Sequence, residues 1–124
     1  MIGITGSAGV LGSILQEKLR LLNVDYSCFE QDICDIDALT KWLKASSFSA
    51  IIHLAAIVPT QYVLEDPLKT YRVIVGGVIN LLTAIKNLDQ KPWFFYASSS
   101  HVYRSKKDVI GENDEVNPIS LYGQ

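Results

Sequence analysis

Cysteine is scarce in this sequence, which contains only Cys28 and Cys34 among 124 residues. Two thiols cannot form the set of disulfides that holds a small secreted domain together. Neither cysteine lies in a group of Cys and His residues with the spacing of a zinc site. We therefore predict no metal site, and we interpret both cysteines as reduced residues of the core.

Long hydrophobic runs and an excess of charge of one sign are also missing. No apolar run approaches the ~20 residues of a membrane helix, and residues 1–5 have no cationic lead into a signal-peptide core. Eleven Lys and Arg against 13 Asp and Glu give a formal net charge of -2, without a basic stripe that could follow a phosphate backbone. The sequence therefore predicts a cytoplasmic protein that binds neither membranes nor nucleic acid.

What the sequence does contain is an alternation of short apolar runs and longer segments of helical period. With 48% hydrophobic and 19% charged residues, the composition is that of one compact domain over residues 1–124. Strands are predicted at 2–5, 24–29, 50–56 and 93–97, and helices at 10–22, 36–45 and 68–88. Asp35 is a suitable cap for the second helix, and His53 lies on a buried strand as a core residue. The third helix has too much apolar surface for one stripe, so we expect it to be covered on two sides.

Alternating strands and helices predict a parallel sheet with right-handed crossovers and helices on both faces. The fold class is therefore α/β, doubly wound. Residues 98–124 are predicted to form loops, because they contain Gly, Asn, Asp and Pro at short intervals.

The first strand leads into the first helix through a glycine-rich turn over residues 5–12, with the sequence TGSAGVLG. Gly6 permits the tight turn, Gly9 lets the backbone approach a pyrophosphate, and Gly12 lets the helix pack on the strand. The helix begins at Val10-Leu11, where free N–H groups and the positive end of the dipole attract an anion. We predict that this turn binds a dinucleotide; a tight turn without a ligand is the alternative.

The TGxxGxxG motif resembles the extended branch of the short-chain dehydrogenase/reductase superfamily, which contains nucleotide-sugar epimerases, dehydratases and reductases. Five further motifs resemble that family in the same order along the chain. Asp32-Ile33 resembles its short third strand, and His53-Leu54-Ala55-Ala56 resembles its fourth-strand motif. Asn80-Leu81-Leu82 resembles the end of its NVxGTxNLL helix, Ser98 to Tyr103 resembles its SSxxVYG loop, and Tyr122-Gly123 resembles the start of YxxxK. The short link between the second and third strands is most similar to that of dTDP-4-dehydrorhamnose reductases. Ile74 replaces the first asparagine of the helix motif.

The resemblance implies a Rossmann-type domain that binds NAD(P). The residues it assigns to the cofactor are Gly6, Gly9, Val10, Leu11, Gly12, Glu30, Asp32, Ile33, Leu54, Ala55, Ala56, Ala97, Ser98 and Tyr122, with the Asp32 carboxylate on the adenine amino group. Acidic Glu30 lies near the expected ribose position, and residues 27–32 contain no Lys or Arg to meet a 2′-phosphate. We therefore predict NAD, and NADP is not excluded.

The resemblance also implies catalytic roles for Ser99 and Tyr122. In the family a tyrosine exchanges a proton with the substrate oxygen, a serine hydrogen-bonds that oxygen, and a lysine four residues after the tyrosine activates it. The sequence ends at Gln124, two residues before the lysine position. We therefore expect a fragment, truncated before the YxxxK helix and the substrate domain and inactive alone. A non-catalytic NAD(P)-binding module or regulatory subunit is the alternative.

Three loop residues, Ser100, His101 and Arg104, are candidates for contact with a nucleotide-sugar substrate. Ser100 and His101 occupy positions where dTDP-glucose dehydratases carry acidic residues, which argues against dehydration. His101 also falls where enzymes similar to GDP-fucose synthase place an acid/base cysteine, and Arg104 replaces the glycine of VYG. Ordinary solvated loop residues are the alternative for His101 and Arg104.

Association is the last expectation that the resemblance supports. In the family the helix that corresponds to Leu68–Leu88 packs against the YxxxK helix, and the pair forms a dimer contact. An exposed apolar face of this kind usually marks an interface. We therefore expect a homo-oligomer through the Leu68–Leu88 helix, with partial disorder after Ser98 as the alternative.

Overall fold

The computed structural model describes residues 1–58 and 60–124. One sheet is formed by four parallel strands, β1 (Ile2–Thr5), β2 (Tyr26–Phe29), β3 (Ala50–His53) and β4 (Trp93–Tyr96), in the order β2-β1-β3-β4. The register places Thr5, Phe29, His53 and Tyr96 side by side at the carboxyl edge of the sheet. The predicted doubly wound α/β fold is confirmed.

The predicted helices at 10–22, 36–45 and 68–88 connect the strands, and a further short helix at Thr60–Glu65 was not predicted. Helix α1 (Val10–Leu21) joins β1 to β2, and α2 (Ile36–Lys44) joins β2 to β3. Between β3 and β4 the chain forms α3 (Thr60–Glu65), α4 (Pro67–Tyr71), a π-helical turn (Arg72–Gly76) and α5 (Gly77–Lys86). Beyond β4 there is a 3-10 turn at Ser100–Val102 and a single antiparallel bridge between Tyr103 and Val116.

Side-chain caps fix where two of the helices begin. The Asp35 side chain accepts hydrogen bonds from the backbone N–H groups of Asp37 and Ala38 at the start of α2, as predicted. The Asp66 side chain accepts from the Lys69 N–H at the start of α4, where Pro67 occupies the first turn.

The main core lies between the sheet and the helix pair α2 and α5. Its buried residues include Phe29 and Ile51 on the strands and Leu39, Leu43 and Leu81 on the two helices. Residues alternate between the two faces of a strand, so Ile4 points to the opposite face, which the crossover of α1 covers with buried Leu19. The sheet is thereby held in place with its carboxyl edge open.

The expected short strand at Asp32–Ile33 is wrong. These residues form a turn between β2 and α2, in which the Asp32 side chain accepts a hydrogen bond from the Cys34 N–H and the Asp32 carbonyl accepts one from the Asp35 N–H. Only six residues separate β2 from α2, and the aspartate satisfies the turn locally instead of pairing with a strand.

The long helix is buried on one face only, so the expectation that it is covered on two sides is wrong for the described chain. Leu81, Ala84 and Ile85 are buried, whereas Ile79 is 57% and Leu82 is 43% exposed. The core interpretation of the cysteines is also wrong for Cys34, which is exposed, while Cys28 is half-buried and both are free thiols.

One helix departs from the sequence expectation that no segment is long and apolar enough to span a membrane. The continuous helical segment Pro67–Lys86 has 20 residues and is long and apolar enough to cross a membrane, by length and composition alone. The core helix of a soluble protein passes the same test, and here Leu81 and Ile85 are buried in the core with Leu39 and Leu43 of α2. The segment therefore gives only weak evidence for a membrane span.

Candidate functional site

The glycine-rich turn packs directly against the end of β3. Gly6 has a positive φ of 74°, and a Cβ there would lie 2.5 Å from the Ala55 backbone nitrogen. A Cβ at Gly12 would collide with the Gly6 carbonyl and lie 2.7 Å from the Ser7 Cα. These two positions therefore require glycine for the turn itself, with or without a ligand.

The N-terminus of α1 opens at the same edge of the sheet. Gly9 is the N-cap residue with extended backbone, has no side chain to cap the helix, and the first turn of α1 contains no acidic residue. Among residues 1–58 and 60–124, no side chain accepts a hydrogen bond from the N–H groups of the first helical turn, and together with the helix dipole these groups suit an anion.

Gln16 is a residue of this region that sequence reasoning missed. Its amide nitrogen donates to the Ser7 carbonyl at 2.9 Å and to the Gly12 carbonyl at 3.2 Å, so it braces the turn from one helical turn further along α1. The sequence signal that could have identified Gln16 is a side-chain amide four residues after Gly12, the last glycine of the motif.

A cleft of about 860 Å³ runs along the carboxyl edge of the sheet. This volume lies within the ~300–1,000 Å³ of typical small-molecule sites. The predicted cofactor residues that line it come from the glycine turn, the end of β2 with the following turn, and the end of β3: Gly6, Gly9, Val10, Leu11, Gly12, Glu30, Asp32, Ile33, Leu54, Ala55 and Ala56. Among the described lining residues there is no Lys or Arg.

A second cleft, of about 280 Å³, shares residues 54–56 with the first. It contains the remaining predicted cofactor residues, Ala97, Ser98 and Tyr122, together with Ser99. The Ser99 side-chain oxygen accepts a hydrogen bond from the His101 N–H at 3.2 Å, which leaves its hydroxyl hydrogen available to a ligand. Ser99 and Tyr122 thus line one cavity that adjoins the first cleft.

The three predicted substrate residues lie outside both clefts. Ser100 is exposed, and the exposed His101 ring packs edge-on against the Tyr122 ring with 5.4 Å between centroids. Arg104 donates to the Glu115 carboxylate at 2.8 Å, and this hydrogen bond raises the pKa of Arg104 and lowers the pKa of Glu115.

His53 lies beneath the site as a buried neutral residue, so its assignment to the core is confirmed. It is 1% exposed, and its Nδ1 lies 2.6 Å from the Thr5 hydroxyl oxygen. Burial lowers the pKa of His53 to about 4. Within residues 1–58 and 60–124 its Nε2 has no hydrogen-bond partner, and no group of three or more His, Cys, Asp or Glu could hold a metal ion.

Three comparisons with known proteins bear on the family. A UDP-glucuronate 4-epimerase of Arabidopsis thaliana is 37% identical over 95 residues, covering 75% of this chain and 22% of its own length. The crystal structure of a dTDP-4-dehydrorhamnose reductase from Clostridium acetobutylicum superposes with a TM-score of 0.86 at 29% identity, covering 98% of this chain and 44% of that one. The corresponding reductase from Bacillus anthracis, in complex with NADP, gives a TM-score of 0.85 at 25% identity, covering 98% and 45%.

The chain therefore spans less than half the length of each of these relatives. A family model described as GDP-mannose 4,6 dehydratase matches residues 5–124, nearly the whole sequence. By this match the chain belongs to the GDP-mannose 4,6 dehydratase family of the extended short-chain dehydrogenases/reductases.

Proposed function

We propose that residues 1–124 form the cofactor-binding part of an NAD(P)-dependent nucleotide-sugar epimerase or reductase of the cytoplasm. The observation that carries the proposal is the uncapped N-terminus of α1, which opens into the large cleft at the carboxyl edge of the sheet. In open α/β sheets, ligands bind at this edge, and a pyrophosphate suits free N–H groups at a helix N-terminus. The names of the relatives support nucleotide sugars as the substrate class.

For the cofactor we propose a nicotinamide dinucleotide, with NAD preferred. The reductase from Bacillus anthracis is in complex with NADP, which supports the nicotinamide dinucleotide but not the preference. The preference rests on Glu30, which lines the cleft, and on the lack of Lys or Arg among the described lining residues. A carboxylate repels a 2′-phosphate and accepts hydrogen bonds from ribose hydroxyls. Calorimetric titration with NADH and NADPH tests both points; tighter binding of NADPH would overturn the preference, and the lack of binding by either would overturn the proposed function.

The proposed chemistry depends on Ser99 and Tyr122, which line the second cleft beside the first. A nicotinamide, when bound, supplies hydride transfer. The Ser99 oxygen accepts a hydrogen bond from the His101 N–H, which leaves the hydroxyl hydrogen to donate to a substrate oxygen. The Tyr122 phenol would exchange the proton with that substrate oxygen.

The isolated 124-residue chain is expected to show no turnover of nucleotide sugars. A phenol ordinarily ionises near pH 10 and needs nearby positive charge to act as a base near neutrality. Among the described residues no Lys or Arg lines the second cleft. A steady-state assay of NADH formation and sugar epimerisation checks this; turnover that disappears in a Tyr122→Phe variant would contradict it.

A cofactor-binding module without activity is the second candidate function. The same lack of a described cation in the second cleft favours it. Both candidates bind a dinucleotide, and neither predicts turnover by residues 1–124 alone. They differ in any longer chain that contains these residues: turnover of nucleotide sugars that Tyr122→Phe abolishes there favours the first candidate, and dinucleotide binding without turnover there favours the second.

We further propose that the protein forms a homo-oligomer through the outer face of the Pro67–Lys86 helix. Ile79 and Leu82 of α5 are exposed there. Exposed apolar surface of this kind is typical of an interface. Light scattering should show a dimer or larger species that an Ile79→Asp variant converts to monomer, while the matched change Val109→Asp, at a 90% exposed loop residue, leaves the mass unchanged. A monomeric wild type at high micromolar concentration would contradict the proposal.

A further inference from the structure

The turn between β2 and α2 forms one wall of the large cleft. Asp32 and Ile33 line the cleft, and Ile33 is also 6% exposed within the core. The turn is closed locally by two hydrogen bonds to Asp32, from the Cys34 and Asp35 N–H groups, both at 2.9 Å. Nothing in these two bonds ties the turn to the rest of the fold.

The long helix supplies that tie at three points. The Asn80 side-chain amide donates to the Cys34 carbonyl at 3.0 Å and to the Ile33 carbonyl at 3.5 Å. The Cys34 thiol donates to the Arg72 carbonyl at 3.4 Å. Gly77 lies so close that a Cβ there would be 2.8 Å from Ile33 Cγ2.

The π-helical turn explains how one helix reaches the turn at all three points. In a regular α-helix of 3.6 residues per turn, Arg72 and Gly77 would lie about 140° apart around the axis. Arg72–Gly76 is instead π-helical, and the Gly77 N–H donates back to the Arg72 carbonyl across five residues. The wider π-type turn reduces this angle. The contacts of the Arg72 carbonyl, of Gly77 and of the Asn80 amide with residues 33 and 34 place these three groups on the side of the helix that faces the turn.

We propose that Asn80, together with the π-helical turn, positions residues 32–34 for the adenine half of the dinucleotide. Asn80 is a positioning residue because it does not line the cleft and acts through the Ile33 and Cys34 carbonyls. The inference rests on the proposed function, since it assigns a specificity role to one wall of the same cleft. It goes further because it assigns the two halves of the ligand to different helices: the N-terminus of α1 binds the phosphates, and α5 holds the turn that binds the adenine.

The test compares Asn80→Leu with Asn87→Leu, the same change on an exposed asparagine that ends α5. Calorimetry measures NADH and ADP-ribose, and an NMR titration measures reduced nicotinamide mononucleotide. Loss of the Asn80 side-chain hydrogen bonds predicts that Asn80→Leu binds NADH and ADP-ribose roughly tenfold more weakly, with the mononucleotide unaffected and Asn87→Leu equal to wild type. A change of equal size for all three ligands, or for none, would overturn the proposal.

A second measurement works without any ligand, so that failure of this inference and failure of the proposed function are distinguishable. In the free chain, amide hydrogen exchange at Cys34 and Asp35 should be roughly tenfold faster in Asn80→Leu, relative to the amides of β1 in the same sample. Unchanged relative exchange would overturn the proposed role of Asn80 in holding residues 32–34, even if NADH binds. If Asn80→Leu fails to fold, Asn80→Asp keeps the side-chain size and removes the amide donor, and the same outcomes apply.

Discussion

Replacing Gly9 with valine is expected to weaken NADH binding by about two orders of magnitude. Gly9 is the N-cap of α1 and lines the large cleft. The one described atom within 4 Å of a Cβ at this position is the Gly6 carbonyl oxygen, at 3.3 Å. Because Gly9 lines the cleft at the start of α1, we expect a valine side chain there to occupy space that a pyrophosphate needs to reach the free N–H groups.

Calorimetry with NADH measures the effect, and Gly111→Val is the matched control. A Cβ at Gly111 has one described neighbour within 4 Å, the Asp114 carboxylate at 3.9 Å in an exposed loop. The control should bind as wild type does. A Cβ at Gly9 makes a tight 3.3 Å contact with the Gly6 carbonyl, so the melting temperature of each variant is measured first and binding is compared only between folded proteins. Equal heats of binding for Gly9→Val and wild type would show that the ligand does not approach this turn.

The second large effect is a loss of stability in mild acid caused by His53. Its pKa is lowered to about 4 in the folded chain by burial, against about 6.5 in the unfolded chain. Between these values the unfolded state binds the proton more tightly, so folding stability is complete above pH 6.5 and declines as the pH falls toward 4. The expected loss is about 2 kcal/mol between pH 7 and pH 5, and about 3 kcal/mol by pH 4.

Urea unfolding at a series of pH values measures this loss. The sequence has two histidines, and His101 is exposed, so His101→Gln is the control and should retain the full pH dependence. The pKa of Asp114 and that of Glu115 are lowered by hydrogen bonds from Lys106 and Arg104, and these exposed groups lose their contribution only below about pH 4.5. A free energy of unfolding that is flat from pH 7 to pH 5 would contradict the buried neutral state of His53.

The sheet and its main helices were predictable because each depends on a local pattern. The strands read as apolar runs, although β4 is mostly exposed and not buried as expected. The glycines at 6, 9 and 12 mark the first turn, and Asp35 marks the start of α2. Strand order then follows from right-handed crossovers and short connections.

Features that depend on tertiary contacts were not predictable. The turn at Asp32–Ile33 pairs with no strand because Asp32 closes it locally and Asn80 holds it from a distance of 46 residues. The π-helical turn at Arg72–Gly76 has no local signature, since its sequence RVIVG suits an ordinary helix. The exposure of Ile79 and Leu82 likewise depends on what covers the helix rather than on its periodicity.

At the candidate site, the sequence predicted which backbone segments come together, but it did not predict the contacts of the loop side chains. The residues assigned to the cofactor line two adjoining clefts because the carboxyl ends of parallel strands meet at one edge. His101 and Arg104 lie on the loop after β4, where packing on Tyr122 and the ion pair with Glu115 set their direction. No periodicity encodes such contacts.

The most direct test of the account is an amide NMR titration of the wild-type chain with NADH. The account predicts saturable shifts confined to the three segments that line the large cleft, residues 6–12, 30–33 and 54–56, with smaller shifts at residues 97–99 of the second cleft. Saturable shifts that map elsewhere, or no shifts at millimolar NADH, would contradict dinucleotide binding at this edge of the sheet.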